Sequence, residues 1–117
     1  MTIVAATSPI LRAISEAGQT WDDPSEDLLF MLLEDIDGGQ GSYLIVERTA
    51  DHSGQTYAQT ARRDDGSYVV EYRDGDADHH YRTVVADMPA AHRLITAWAY
   101  ELTGWREGAN WSPIRSP

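Results

Sequence analysis

The feature that most constrains this chain is a series of four β-rich segments separated only by turns. They are "SYLIVERT" (42–49), "QTYAQTARR" (55–63), "SYVVEYR" (67–73) and "HYRTVVA" (80–86). Each is rich in β-branched and aromatic side chains, which suit a pleated, half-buried surface. The gaps carry turn chemistry: Asp51-His52-Ser53-Gly54, then Asp64-Asp65-Gly66, then Asp74-Gly75. An Asp-Gly pair supplies the positive-φ residue of a tight hairpin. Connections this short leave no room for the crossover that parallel neighbours need, so the segments predict an antiparallel meander. A sheet of that kind can bury one face and leave the other available.

Helix signals flank the meander. Ser8-Pro9 places a cap before a proline, Ile10, Leu11 and Ile14 share a helical face, and Gly18 closes the segment, so a short helix is expected there. Asp23-Pro24 repeats the device before "SEDLLFMLLEDI", with Glu26 and Asp27 in the first turn, where they suit the helix dipole. Its apolar run from Leu28 to Leu33 covers nearly every side, and Phe30 points away from Leu28 and Leu32, so a second layer should cover it. A third helix opens at Asp87-Met88-Pro89 and is expected to run to Gly104, with Ala91, Leu94, Ile95, Trp98 and Leu102 as its core stripe and His92 half-exposed. "ANWSPI" (109–114) reads as a short edge strand. The expected fold is therefore a single α+β domain over residues 1–117: an antiparallel four- to five-stranded meander, with N-terminal helices and a long C-terminal helix packed on one face.

Charge narrows the partners. Nineteen acidic residues face nine basic ones, all arginine, for a net charge of −10. A chain this acidic cannot replace the counterions that a nucleic-acid backbone holds, which excludes that class of partner. It is attracted instead to basic surfaces, with association quickened by long-range steering. No apolar run approaches the ~18 residues of a membrane helix. The absence of cysteine excludes disulfides and thiolate metal sites. With no basic region ahead of the first apolar residues, the expected location is the cytoplasm.

The stretch "EYRDGDADHHYR" (71–82) gathers the most chemistry. Asp74, Asp76 and Asp78 match the start of a calcium loop, but its sixth and twelfth positions hold His79 and Val85 in place of glycine and glutamate. Adjacent His79 and His80 would point to opposite faces of a strand, against a zinc site. "GGQG" (38–41) follows a helix and lacks the spacing of a phosphate cradle, so a flexible connection is expected. Glu47 and Glu71 are candidates for a carboxylate pair across the sheet. Tyr68 and Tyr72 share one strand face, opposite Val69, Glu71 and Arg73. If Tyr43 and Tyr57 align with them, one face carries a tyrosine-rich layer suited to core packing or protein contact.

The order of these features resembles the small immunity proteins of bacterial polymorphic toxin systems, above all the first-numbered family among them, often paired with nucleic-acid deaminase toxins. The resemblance runs from about Pro24 onward: an early helix, "YLIVER", "YAQTARRDDGSYVVEYRDG", then a long helix with Trp98, a turn at Gly104-Trp105 and a terminal Asn110-Trp111. It implies a non-enzymatic inhibitor, without cofactor or metal. Its partner would be a cognate toxin protein whose basic substrate cleft it blocks, rather than a nucleic acid or a membrane. The acidic loop of Asp74, Asp76 and Asp78 would enter that cleft, with Glu71, Tyr72, Arg73, His79 and Trp105 as further contact residues. Two other readings stay open: a small-ligand-binding or regulatory domain using the tyrosine-rich face, and a metal-dependent enzyme using the Asp and His residues of 74–80.

Overall fold

A computed structural model describes residues 9–114. The elements in chain order are β1 (Leu11–Ser15), β2 (Thr20–Asp22), α1 (Glu26–Asp37), β3 (Tyr43–Arg48), β4 (Thr56–Arg62), β5 (Tyr68–Asp74), β6 (His80–Val85), α2 (Met88–Ala99) and β7 (Ser112–Pro113). Single 3-10 turns occupy Ala77–His79 and Arg106–Gly108. The seven strands form one sheet in the order β2-β1-β3-β4-β5-β6-β7, every neighbouring pair antiparallel. The α+β class and the meander from β3 to β6 are as expected. The strand count is not: seven replace the expected four to five.

The surplus comes from the N-terminal segment, where a helix was expected. Its Ser8 lies outside the described residues. Leu11 and Ala13 are buried while Arg12 and Ile14 are half-buried, a period of two that pairs with β3 from Leu11↔Arg48 to Ser15↔Leu44. Gly18, at φ 84°, closes a β-turn into β2 instead of ending a helix. Asp23 does not cap α1 either. Its carboxylate accepts from the Ile10 and Leu11 amides (2.8 and 3.0 Å), pinning the start of β1. The cap of α1 is Ser25, whose hydroxyl oxygen accepts from the Leu28 amide.

Both helices cover the same face of the sheet. Leu29, Leu33 and Ile36 of α1 and Ala91, Leu94, Ile95 and Trp98 of α2 meet Leu44, Val46, Ala58, Val70 and Tyr72 from the strands. Alanine at 13, 58 and 91, all essentially unexposed, lets the layers approach closely. Phe30 packs edge-on against His92 of α2 (5.1 Å between rings), so it is covered by the second helix. Met31 is the residue of the apolar run left outside, 59% exposed.

Helix α2 stops at Ala99, five residues short of Gly104, and Leu102 leaves the stripe for solvent. A left-handed turn makes the stop: Glu101, at φ 51°, donates its amide to the Trp98 carbonyl, and Leu102 donates to the Ala97 carbonyl. Arg48 reinforces it, its guanidinium donating to the Trp98 and Ala99 carbonyls 4.3 Å from the Trp98 ring, where a cation suits the helix's negative pole. Beyond it, Trp105 and Trp111 pack edge-on against Tyr72, which stacks on Tyr81, all ring pairs within 5.0 Å. This cluster pins the C-terminal segment, and β7 adds to β6 as the short edge strand expected. The Ile114 amide bonds inward to the His80 carbonyl, so the nitrogen of the preceding Pro113 faces away from the sheet, where it offers no donor.

Leu33→Ala removes a fully buried side chain at the helix–sheet interface and is expected to lower unfolding free energy by about 3 kcal/mol in urea titration. Met31→Ala, two residues away but exposed, should change it by less than about 0.5 kcal/mol.

Candidate interaction site

With both helices on one side, the other face of the sheet is left uncovered by the described residues. Register assigns Tyr43, Ile45 and Glu47 of β3, Tyr57 and Gln59 of β4, Glu71 and Arg73 of β5, and His80, Arg82 and Val84 of β6 to that face. Tyr68 and Tyr72 belong to the opposite, buried face. The expected single tyrosine layer is therefore split: two tyrosines of β5 build the core, while Tyr43 and Tyr57 lie outside. Glu47 and Glu71 share the open face but do not oppose each other. Strand β4 runs between them, with Tyr57 opposite Glu47 and Gln59 opposite Glu71, so their strands lie about 10 Å apart.

At the centre of the open face lies a connected polar network. Arg73 donates through Nε to His80 Nδ1 (2.9 Å) and through Nη1 to Gln55 Oε1 (2.6 Å). His80 Nε2 meets Glu71 Oε1 (3.0 Å), whose other oxygen accepts from Gln59 (3.1 Å). Tyr57 packs edge-on to the imidazole (6.0 Å between rings) and lies 5.8 Å from the Arg73 guanidinium. A guanidinium has no acceptor, so Nδ1 must take the Arg73 hydrogen bond through its lone pair. The ring proton is then on Nε2 and is donated to Glu71. His80 is only 7% exposed, and it tolerates that burial because both ring nitrogens are satisfied. The same bonds engage both ring nitrogens. Among the described residues, no group of three His, Asp or Glu side chains is placed to hold a metal ion.

The acidic loop sits at the end of β5 beside this network. Asp74 ends the strand, and Gly75 turns the chain at φ 88°. Asp76 caps the 3-10 turn, accepting from the Asp78 amide (2.9 Å) and from His79 Nδ1 (2.8 Å). The hydrogen bond and charge of Asp76 hold the His79 imidazolium above its usual range, and that bond holds the Asp76 carboxyl below its own. Asp74, Asp76, Asp78 and His79 are all exposed. His79 and His80, adjacent in sequence, serve different structures: one closes the loop, the other anchors the face.

Of the residues named from sequence, Glu71 and Arg73 meet on the open face, and the three aspartates with His79 border it. Tyr72 and Trp105 do not join them. Tyr72 is 2% exposed beneath the sheet, and Trp105 is half-buried against it, so both hold the fold together. Sequence reasoning missed His80 as the hub, with Gln55, Gln59 and Tyr57 around it. Strand parity was the available signal, because Glu71 and Arg73 alternate on one face and His80 lies directly across the hairpin from Arg73.

The imidazole of His80 is expected in the Nε2–H form at neutral pH, read from its ring 15N shifts; an Nδ1–H ring would contradict the network. Glu71→Ala leaves that Nε2–H unpaired and should cost about 1–2 kcal/mol in urea unfolding. His79 behaves differently. Its raised pKa means the loop gains from the charged imidazole at low pH and loses it as pH rises through the folded value, while the lowered pKa of Asp76 means that gain also fades in acid. An NMR titration should therefore place the His79 midpoint above 6.5, and Asp76→Asn should bring it down.

A scan of protein-family models, a search of curated proteins and a search of solved structures each returned no match to this chain.

Proposed function

We propose that this protein is a non-enzymatic immunity protein that binds a cognate toxin domain through the open face of its sheet and blocks a basic, nucleic-acid-handling cleft, such as that of a deaminase. The observation that carries this reading is the uncovered sheet face, on which tyrosine and arginine side chains are already held by one another beside an exposed acidic loop. Tyrosine and arginine are favoured at the centres of protein interfaces. A face whose polar groups are fixed before binding loses little freedom when a partner arrives. The aspartates of 74–78, at the rim, would draw in a basic surface without having to be buried. No helix among the described residues is long and apolar enough to cross a membrane, and the proposed partner is a protein.

Co-expression with the toxin domain of a neighbouring gene in a sensitive host is the direct test. Survival with the pair and death with the toxin alone is the expected result, and absence of rescue would defeat the reading. Within the complex, changing Asp74, Asp76 and Asp78 together to asparagine should slow association about tenfold at low salt and flatten its salt dependence, leaving dissociation nearly unchanged. Arg73→Ala should act on the dissociation rate instead, because it removes a central contact. Equal association rates for the triple variant and its parent would take the loop out of the interface.

A further inference from the structure

The negative charge is not spread evenly. Residues 13–47 hold nine of the nineteen carboxylates and no arginine, lysine or histidine, whereas the rest of the chain holds ten acidic and nine basic residues. The segment folds into the β1–β2 hairpin, α1 and most of β3. Between α1 and the β1–β2 turn lies a groove of about 300 Å³, walled by Trp21, Leu32, Ile36 and Tyr43, with the acidic residues Glu16 and Asp35 in its lining. We propose that this groove is a subsite for an arginine side chain presented by a basic protein partner.

Three features of the groove point to that occupant. Glu16 is held in place, one carboxylate oxygen accepting from both the amide and the hydroxyl of Ser42 (2.6 and 2.7 Å), which leaves the other oxygen available. No ion pair engages Glu16 or Asp35 among the described residues. The C-terminal turn of α1, which contributes Asp35 and Ile36, carries no basic residue. The helix's negative pole therefore adds to the carboxylates of Glu34 and Asp35, and Arg62, the cation paired at this end, meets Asp37 (3.6 Å) rather than Asp35. A metal ion does not suit the groove, since no three carboxylates converge and most of the wall is apolar. An arginine suits both parts. Its aliphatic stem packs against Leu32 and Ile36, while its planar guanidinium takes the aromatic wall and a fixed carboxylate. Tyr43 also lines a shallow depression on the open sheet face with Gln59 and Glu71, so the groove continues from that face around the end of β3. The inference rests on the reading that the partner is a basic protein docked on the sheet.

The test is an NMR titration of the full chain, following the Trp21 indole resonance, with a short arginine–glycine peptide and the same peptide carrying citrulline. Citrulline keeps the shape and removes the charge. The arginine peptide should shift the Trp21 signal, and the combined Glu16→Gln and Asp35→Asn changes should weaken it about tenfold, equivalent to about 1.4 kcal/mol. The control pair Asp64→Asn and Asp65→Asn, in an exposed turn outside the groove, should weaken it by less than about twofold. Equal binding of the citrulline peptide, or equal weakening by the control pair, overturns the subsite. So does binding of free arginine amide as tight as the peptide, which would make the groove a small-molecule site. Co-expression separates this inference from the functional reading. Full protection by the Glu16→Gln/Asp35→Asn variant defeats the subsite and leaves immunity standing. Groove-dependent peptide binding with no toxin neutralised defeats immunity and leaves the subsite standing.

Discussion

The structure depends on one asymmetry: seven antiparallel strands alternate their side chains between two faces, and both helices lie on the same one. The inward apolar positions of the central strands are thereby set against α1 or α2, where their burial stabilises the fold. Every outward position must be stable in water. Arg48 makes the arrangement compact, because its bonds to the Trp98 and Ala99 carbonyls tie the end of α2 to β3, and the turn at Glu101 releases the chain toward the aromatic cluster on Tyr72. A helix continued to Gly104 would have carried Trp105 away from that cluster.

The same asymmetry explains why the open face holds an ordered polar network rather than a scatter of solvated charges. His80 is nearly as buried as the core although it faces away from it, shielded by Tyr57, Arg73 and Glu71. Such a ring would be costly with either nitrogen unpaired. The bonds that remove the cost also fix the rotamers of Arg73 and Glu71, so the face presents a settled surface. Charge is then divided between neighbourhoods. The face itself mixes signs, the loop at 74–78 is acidic but neighbours Arg73 and His79, and the segment around α1 has no basic residue of its own, its Asp22 and Asp37 being met by Arg12 and Arg62 from outside it.

The central strands and both helices were legible in the sequence because their signals are local: alternation, Asp-Gly turns, and a cap before an apolar run. The first hairpin was misread for a physical reason. In Leu11-Arg12-Ala13-Ile14-Ser15 the inward residue is alanine and the outward one isoleucine, so hydrophobicity alone favours the helical spacing of Leu11 and Ile14 over the true alternation. The tyrosines were grouped wrongly because parity within a strand can be read from sequence, whereas parity between strands needs the register, and the register decides whether Tyr57 meets Glu47 or Val46. The His80 network draws on three strands and was out of reach for the same reason. Glu71 and Arg73 were found because they sit two residues apart on one strand.

One consequence of Pro113 reaches beyond the single molecule. The two margins of the sheet differ: at β7 the outward nitrogen belongs to proline, whereas at β2 the outward groups of Thr20 and Asp22 keep their hydrogen-bonding capacity. Among the described residues, strand addition is thus better supplied with donors at the β2 margin than at the β7 margin. Two copies joined margin to margin through β2 would make a fourteen-stranded ribbon ended on both sides by Pro113. A margin that lacks its outward donor templates a further strand poorly, which counts against open-ended edge pairing.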